Sequence, residues 1–199
     1  MFENTSETFT AIGAPANRSH LMFKRLLLSG IVILILFAIF VAFQPTRFRI
    51  ERSVAISGTA LSVFAHVNDF RKWESWLHWT RLDPDARIRV EGAPSGEGAV
   101  LLWSGNEAIG AGRMEIVESR LGSSIRIATT FSRPSAGKST TVFVFKPQDG
   151  ETLVTWSVEG ENNFLAKAVC VFVGIDTVLG PDLEQGLERL RVAAETRSK

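Results

Sequence analysis

The sequence of 199 residues contains no tyrosine, one cysteine and three histidines, and each scarcity excludes a kind of site. Without tyrosine, no phenol is available as a proton donor or as part of an oxyanion hole. The single cysteine, Cys170, excludes an internal disulfide and a metal cluster built from thiolates. His20, His66 and His78 do not stand at a spacing typical of metal ligands. We therefore expect no metal and no other cofactor.

An excess of one charge and the common catalytic fingerprints are also missing. Three of the 22 basic residues and two of the 21 acidic residues precede Arg47, which leaves 19 of each sign from that position onward. A domain that binds nucleic acid normally shows a basic excess or stripe, so nucleic acid is not an expected partner. The sequence contains no G-x-S-x-G elbow, no phosphate-binding loop and no dinucleotide fingerprint. Few side chains remain as candidates for catalysis.

One long segment lacks charge altogether, because the 18 residues from Leu26 to Phe43 are all uncharged. At 1.5 Å per residue such a helix spans roughly 27 Å, just enough for the hydrocarbon core of a bilayer. A cleaved secretory signal is the alternative, since Lys24 and Arg25 precede the segment. Against it, the segment exceeds the usual apolar region of a signal, and no A-x-A-like cleavage site follows.

The chain is thereby divided into three parts. We expect a polar, disordered tail over residues 1–21, a single-pass transmembrane anchor over 22–45 and one domain over 47–199, a normal size for a single core. The basic residues that flank the anchor are equal in number on its two sides, so they do not set its orientation. If translation starts at Met22, the short tail carries two positive charges. That arrangement favours a domain on the outer side of the cell membrane.

Beyond the anchor, hydrophobic periodicity predicts a strand, two short helices, six strands and a long helix. Period-two alternation predicts the first strand over 48–56, and apolar stripes predict helices over 60–67 and around 70–77. Pro181 is expected in the first turn of the last helix. The six later strands are expected over 86–91, 99–104, 110–118, 124–131, 140–146 and 152–159.

This order predicts an α+β fold in which one antiparallel sheet wraps around a long C-terminal helix. A curved sheet with only one substantial helix is not tightly covered on its apolar face. We therefore expect a hollow between the sheet and the helix, and such hollows are the usual place for a ligand.

Several segments resemble the START-like superfamily, also called SRPBCC, whose fold is the helix grip. The first strand ends in SVAIS and leads to SVFAHVNDFRKWESW, similar to the strand, helix and tryptophan segment of that superfamily. The stretches GNEAIGAGRMEI and GPDLEQGLERL resemble bacterial members of the polyketide cyclase/dehydrase group. The resemblance covers nearly all of 47–197. It implies a helix-grip fold, and it leaves function open because the superfamily includes carriers, cyclases, hydrolases and binding modules.

Arg52 is the first candidate for a ligand contact. It shares the parity of Ile50 and Val54 on the first strand, so it is expected on the apolar side of the sheet. An arginine inside a cavity can hold a carboxylate or phosphate head group through its planar guanidinium. The alternatives are a pair with an internal acid and a place at the rim of the sheet.

Four tryptophans are candidates for the cavity wall. Trp73 and Trp76 share a helical stripe, and they suit either the mouth of a cavity, contact with a membrane interface or plain core packing. Trp156 alternates with apolar residues on the last strand and is expected in the core or the cavity wall. Trp103 lies in a strand too uniformly apolar to assign a face.

The remaining candidates are polar groups near the expected cavity and apolar residues inside it. His78 stands among aromatic residues and is a possible general base, whereas His66 is expected at the surface. Glu107 in a loop flanked by glycines is either an acid or base at the cavity mouth or a solvated hairpin tip. Three apolar residues of the inward-facing stripes complete the candidate lining: Met114, Leu183 and Leu187.

A short apolar segment over 168–175, AVCVFVGI, is too short to cross a bilayer. It suits a lid, an interfacial helix or a helix packed over the cavity, and Cys170 within it is expected to behave as a small apolar residue.

The sequence favours a membrane-anchored domain that binds a hydrophobic or amphipathic small molecule, such as a lipid, without chemistry. One alternative is an enzyme of the polyketide cyclase/dehydratase type, which needs two titratable side chains that converge in the cavity. Another is a protein-interaction domain of a membrane complex, which needs an exposed apolar patch and a filled interior.

Overall fold

A computed structural model describes residues 16–77, 82–162 and 164–196. The chain forms two compact units that divide between Gln44 and Pro45. The first contains helix α1, Ala16–Ala42. Within it, the segment Met22–Ala42 is long and apolar enough to cross a membrane. A transmembrane anchor and a signal sequence both meet this criterion.

The second unit is built on seven strands that form one antiparallel sheet in the order β1-β7-β6-β5-β4-β3-β2. The sheet and its helices confirm the predicted α+β architecture. In chain order the elements are β1 Arg47–Ser57, α2 Ala60–Val67, a 3-10 helix Phe70–Ser75, β2 Arg87–Gly92, β3 Ala99–Ser104, β4 Ala111–Arg120, β5 Ser124–Arg133, β6 Gly137–Gln148, β7 Glu151–Glu161, α3 Phe164–Val173 and α4 Ile175–Thr196.

Side-chain caps set the start of the two short helical segments after β1. The Thr59 hydroxyl accepts from the backbone N–H of Ser62 at 3.2 Å and begins α2. The Asp69 carboxylate accepts from the N–H of Arg71 at 3.0 Å and begins the 3-10 helix. Each cap satisfies a donor that has no partner within its helix, which typically contributes about 1 kcal/mol.

The last helix begins earlier than predicted. Pro181 lies inside α4, not in its first turn. Gly174 separates α3 from α4. Its φ is 77°, and its N–H donates to the Cys170 carbonyl at 3.0 Å, which ends α3. Glycine adopts this left-handed conformation without steric cost. The helix then continues through Pro181 without the backbone hydrogen bond that a proline cannot donate.

An aromatic cluster fills the centre of the inner face of the sheet. Phe143 and Trp156 stack with their ring centroids 5.0 Å apart, and Trp76 meets both rings edge-on at 6.3 and 6.1 Å. Trp76 and Phe143 are among the largest fully buried side chains. Large rings in edge-on and stacked contact bury extensive apolar area, and they leave this part of the interior filled.

Helix α4 lies close against the sheet, which differs from the expected hollow beneath the helix. A Cβ added at Gly186 would come within 2.6 Å of the Trp156 ring, and one added at Gly180 within 2.4 Å of the Arg52 guanidinium. Glycine at these two positions removes the side chains that would hold helix and sheet apart. The open volume lies elsewhere on the sheet, as described below.

His66 was expected at the surface, but it is 7% exposed. The segment after α2 folds back over the end of that helix. The indole N–H of Trp73 donates to the Val67 carbonyl at 2.9 Å, and that of Trp76 donates to the His66 carbonyl at 3.3 Å. This return of the chain covers a side chain that lies off the apolar stripe of α2.

Candidate functional site

An apolar groove of about 400 Å³ lies on the inner face of the sheet, at the edge formed by β2 and β3. One wall is the 3-10 helix with Leu77, and the other is the edge of the sheet. The described residues that line it are Phe70, Arg71, Trp73, Glu74, Leu77, Pro84, Ala86, Ile88, Val90 and Leu101. We refer to it as the edge groove.

Strand register explains why apolar side chains line the edge groove. Val90 pairs with Leu101, and Leu101 pairs with Met114, so all three point to one face. Leu101 and Met114 belong to the hydrophobic core, which identifies this as the inner face. Ile88 shares the parity of Val90 and is 41% exposed because β2 is the last strand of the sheet.

Trp73 forms the fixed wall of the edge groove. Its indole N–H bonds to the Val67 carbonyl, and its ring meets Phe70 at 4.8 Å and Trp76 at 5.1 Å. Because its N–H has a hydrogen-bond partner and its ring packs against two other rings, this tryptophan presents an ordered apolar surface to the groove. A ligand that binds there does not need to order the side chain first.

Two charged residues line the rim of the edge groove. Arg71 makes a bidentate ion pair with Asp69, with N–O distances of 2.9 Å from both Nε and Nη2. These hydrogen bonds lower the pKa of Asp69 more than its partial burial raises it. Glu74 is the one acidic residue among those that the structure places in the lining. The site therefore combines an apolar interior with one positive and one negative group at its opening.

A second, wider depression of about 1040 Å³ lies where one end of β1, β5, β6 and β7 meets solvent. Charged pairs surround it, such as Arg49 with Glu159 and, at 3.6 Å, Arg47 with Glu161. Within the described ranges, the buried hydroxyl of Thr129 has no hydrogen-bond partner. The depression is wider and more open than the edge groove, and ion pairs surround it.

Arg52 lies on the inner side of β1 as predicted, but carboxylates of α4 occupy its guanidinium. Nε donates to Glu184 at 2.7 Å and Nη2 donates to Asp176 at 2.9 Å. Hydrogen bonds to Asp176 and then to Glu184 raise the pKa of Arg52. In this structure Arg52 joins α4 to the sheet and lines neither the groove nor the depression.

One of the other predicted lining residues reaches the edge groove, and several lie in the core. Among the candidates that the structure describes, only Trp73 lines it. Trp103 is buried, and its indole N–H donates to the Ile109 carbonyl at 2.9 Å. The others are buried or partly buried in the hydrophobic interior: Trp76, Met114, Trp156, Leu183 and Leu187.

The two polar candidates have different outcomes. His78 lies outside the described residues. Glu107 is exposed in the loop between β3 and β4, which is held by its neighbours: Asp83 accepts from the Asn106 N–H at 2.6 Å, and the Asn106 side chain accepts from Ala108 N–H at 2.9 Å. Glu107 lines neither open volume.

Most of the residues that line the edge groove were not among the candidates predicted from the sequence. Ile88 and Val90 alternate correctly for a strand, but alternation does not reveal that β2 is an edge strand beside the 3-10 helix. Phe70 and Leu77 were part of the predicted apolar stripe, which was the only available signal. Among the described residues, no group of three or more His, Cys, Asp or Glu is placed to hold a metal ion.

The sequence model of the family described as "Polyketide cyclase / dehydrase and lipid transport" matches residues 47–195. The chain belongs to this family. The match confirms the predicted START-like membership and begins at the first residue of β1. The comparison with curated proteins finds no match.

Solved structures confirm the helix-grip fold of this family member. The chain resembles protein CV1439 from Chromobacterium violaceum, with 16% identity, a TM-score of 0.53 and coverage of 76% of this chain and 99% of that one. A point mutant of norcoclaurine synthase from Thalictrum flavum, in complex with a transition state analogue, matches with 11% identity, a TM-score of 0.57 and coverage of 78% and 99%.

The di-domain ARO/CYC protein StfQ from the steffimycin biosynthetic pathway is also similar. It shares 12% identity and a TM-score of 0.56, with 77% of this chain and 52% of StfQ covered, so the chain spans about half of that protein. At such identities the likeness shows the fold alone and leaves the function undetermined.

Proposed function

We propose that the protein binds a hydrophobic or amphipathic small molecule, such as a lipid, in the edge groove while α1 anchors it in a membrane. The observation that carries this proposal is the composition of the groove: among the described lining residues, aromatic and aliphatic side chains form both walls, and the two charged residues, Arg71 and Glu74, lie at the rim. A mostly apolar concavity with a few polar groups is the usual form of a small-molecule site.

The proposed ligand has an apolar body and a small polar end. The body occupies the space between Trp73 and Val90, and the polar end meets Arg71 or Glu74 at the rim. A volume of about 400 Å³ falls within the usual range of ligand pockets and accommodates part of an acyl chain or a small fused-ring molecule. Membrane anchoring places such a site close to a supply of poorly soluble ligands.

Binding of fluorescent probes to the full chain in detergent micelles tests the proposal. cis-Parinaric acid and 1-anilinonaphthalene-8-sulfonate are suitable, because both change emission in apolar sites. Val90→Trp should fill the groove and weaken probe binding at least tenfold. The matched control is Val192→Trp, at a position of α4 that is 54% exposed. Equal affinity in the two variants would remove the groove as the site.

Copurification gives an independent test. Native mass spectrometry of the full chain should show a small apolar molecule that is retained by the wild type and lost from Val90→Trp. The absence of any such molecule, together with no probe binding, would refute the proposal.

The second candidate function is cyclase or dehydratase chemistry, favoured by the family description and by Glu74 at the groove rim. Acid–base chemistry of this type commonly needs a donor and an acceptor within reach of one substrate. Among the described lining residues, only Glu74 and Arg71 are titratable, and Arg71 is paired with Asp69. Turnover of a linear polyketone thioester that falls at least a hundredfold in Glu74→Gln, with probe binding unchanged, would favour the enzyme.

We also propose that the domain lies on the outer side of the cell membrane. The interaction-domain alternative shares the anchor but requires no ligand. The filled centre of the inner face and the exposed apolar side chains of α3 are compatible with it. Failure of both probe binding and copurification, with recovery of the chain in a complex with another membrane protein, would decide in its favour.

A further inference from the structure

Helix α3, Phe164–Val173, is apolar and poorly covered. Its sequence FLAKAVCVFV contains one charged residue, Lys167. None of its side chains that the structure describes is buried. The exposed fraction is 56% for Phe164, 50% for Val169 and 49% for Val173. An exposed cluster of large apolar side chains on a short helix usually marks a surface that is covered by another molecule or by a membrane.

The position of α3 in the fold indicates what covers it. Arg47, the first residue of β1, pairs with Glu161, the last residue of β7. Just beyond this pair, the Asn162 N–H donates to the Thr46 carbonyl at 2.7 Å. The chain therefore leaves the sheet toward α3 beside the point where it arrives from α1.

We infer that α3 is an interfacial helix that lies on the surface of the same bilayer that α1 crosses. This inference rests on the proposed anchor. Thr46 follows Ala42, the last residue of α1, by only four positions, so the end of the sheet next to α3 cannot move far from the membrane surface. A tether of this kind keeps the effective concentration of bilayer at α3 high, and even modest apolar burial then suffices for a lasting contact.

The single charge of α3 is compatible with this placement. The aliphatic stem of Lys167 lies along apolar surface while its ammonium group reaches the lipid head groups. A helix of 10 residues is roughly 15 Å long, far too short to cross the hydrocarbon core. It therefore lies in the interface, and it contributes apolar side chains without a second crossing.

Site-directed spin labelling of the full chain tests the inference. Cys170→Ser removes the only cysteine, and single cysteines are then introduced by Ile35→Cys in α1, Val169→Cys in α3 and Leu121→Cys in the turn between β4 and β5. Leu121 is the matched control because it is apolar and 78% exposed but lies at the opposite end of the strands. The proteins are reconstituted into vesicles of phosphatidylcholine and phosphatidylglycerol in equal parts.

The measurement is the collision rate of each nitroxide with oxygen, which concentrates in lipid, and with a water-soluble nickel chelate. We expect lipid-like values at positions 35 and 169 and aqueous values at 121. Val173→Cys provides a second label on α3, and circular dichroism confirms that each variant is folded.

The outcomes separate this inference from the proposed anchor. Lipid-like values at 35 with aqueous values at 169 and 173 overturn the interfacial role of α3 and leave the anchor intact. Aqueous values at 35 overturn the anchor and the inference together. Low accessibility to both reagents at 169, with dipolar broadening between labels, would identify a second copy of the chain as the cover of α3 and would also overturn the inference.

Discussion

Arg52 on β1 donates to Glu184 on α4 at 2.7 Å, across 132 positions of sequence. The same guanidinium reaches Asp176, about two turns earlier on the same helix, at 2.9 Å. Two carboxylates on one helix therefore fix its angle and height on the first strand. The pairs are partly exposed, with side-chain exposures of 27% for Arg52 and 67% for Asp176, so solvent screens them and they orient the helix more than they stabilise it.

The pH dependence of this link follows from Asp176. The hydrogen bond from Arg52 lowers the pKa of Asp176 in the folded protein. The carboxylate therefore stabilises the folded state at pH values above its unfolded pKa of about 3.9. This stabilisation is lost as the pH falls through the lowered pKa of the folded state. Asp176→Asn should therefore lower Tm at pH 7, and the difference from wild type should narrow below about pH 4. Thermal unfolding in micelles measures this, with Asp182→Asn on the exposed side of α4 as control. A difference that stays constant into acid would contradict the link.

Because α4 packs closely on the sheet, replacing one of its glycines by alanine should lower the stability of the protein instead of raising it. Alanine normally favours a helix over glycine by roughly 1 kcal/mol. Gly186→Ala should instead destabilise the protein by about 1–3 kcal/mol, because its Cβ would lie 2.6 Å from the ring of Trp156, itself stacked on Phe143. Chemical denaturation of the full chain gives the free energy of unfolding.

The comparison for this change is Gly180→Ala on the same helix. There the Cβ meets the end of the Arg52 side chain, which is more flexible than a packed indole, so the loss of stability should be smaller. A Gly186→Ala variant that is as stable as wild type would show that α4 is not held closely on Trp156.

The buried hydroxyl of Thr129 predicts a stabilising substitution. This residue is 2% exposed, and its Oγ1 has no hydrogen-bond partner within the described residues. A buried polar atom without a partner carries a desolvation cost. Thr129→Val, which keeps the shape, should raise the free energy of unfolding by about 1 kcal/mol. Thr152→Val is the matched control and should lower it, since that buried hydroxyl donates to the Gly58 carbonyl at 2.8 Å.

The proposed orientation predicts which reagents reach the domain in intact cells. In a Cys170→Ser background, Leu121→Cys should react with a maleimide that cannot cross the membrane, because Leu121 is exposed at a hairpin turn. Gel mobility after labelling gives the reacted fraction. Reaction only after lysis would place the domain in the cytoplasm.

The fold was largely predictable because local signals agree with tertiary structure. Helix α2 spans the predicted residues, since a threonine cap and a clear apolar stripe mark it. The predicted strands are all present, although β6 extends from Gly137 to Gln148, beyond the predicted 140–146. Pairing with β5 and β7 continues past the apolar residues that periodicity can detect.

The candidate site was less predictable because it depends on contacts that are distant in sequence. The inward direction of Arg52 followed from alternation, but its acidic partners on α4 did not. The filled centre also depends on Gly186 lying opposite Trp156, and no local pattern indicates that pairing. Trp73 was a candidate for the mouth of a cavity, for the membrane interface and for the core. Val90, which was not a candidate, became the opposite wall of the groove only through the place of β2 at the sheet edge.

That place has a consequence for how the groove works. β2 has six residues and one neighbouring strand, so it is held by fewer backbone hydrogen bonds than any interior strand and is the natural place for local fraying. Arg89 and Glu91 face outward along it, which discourages pairing with other chains. A ligand between Trp73 and Val90 would therefore be held by the strand that opens locally most easily. The residence time of the ligand would then depend on local opening of β2. Amide hydrogen exchange in β2 would slow when the groove is occupied.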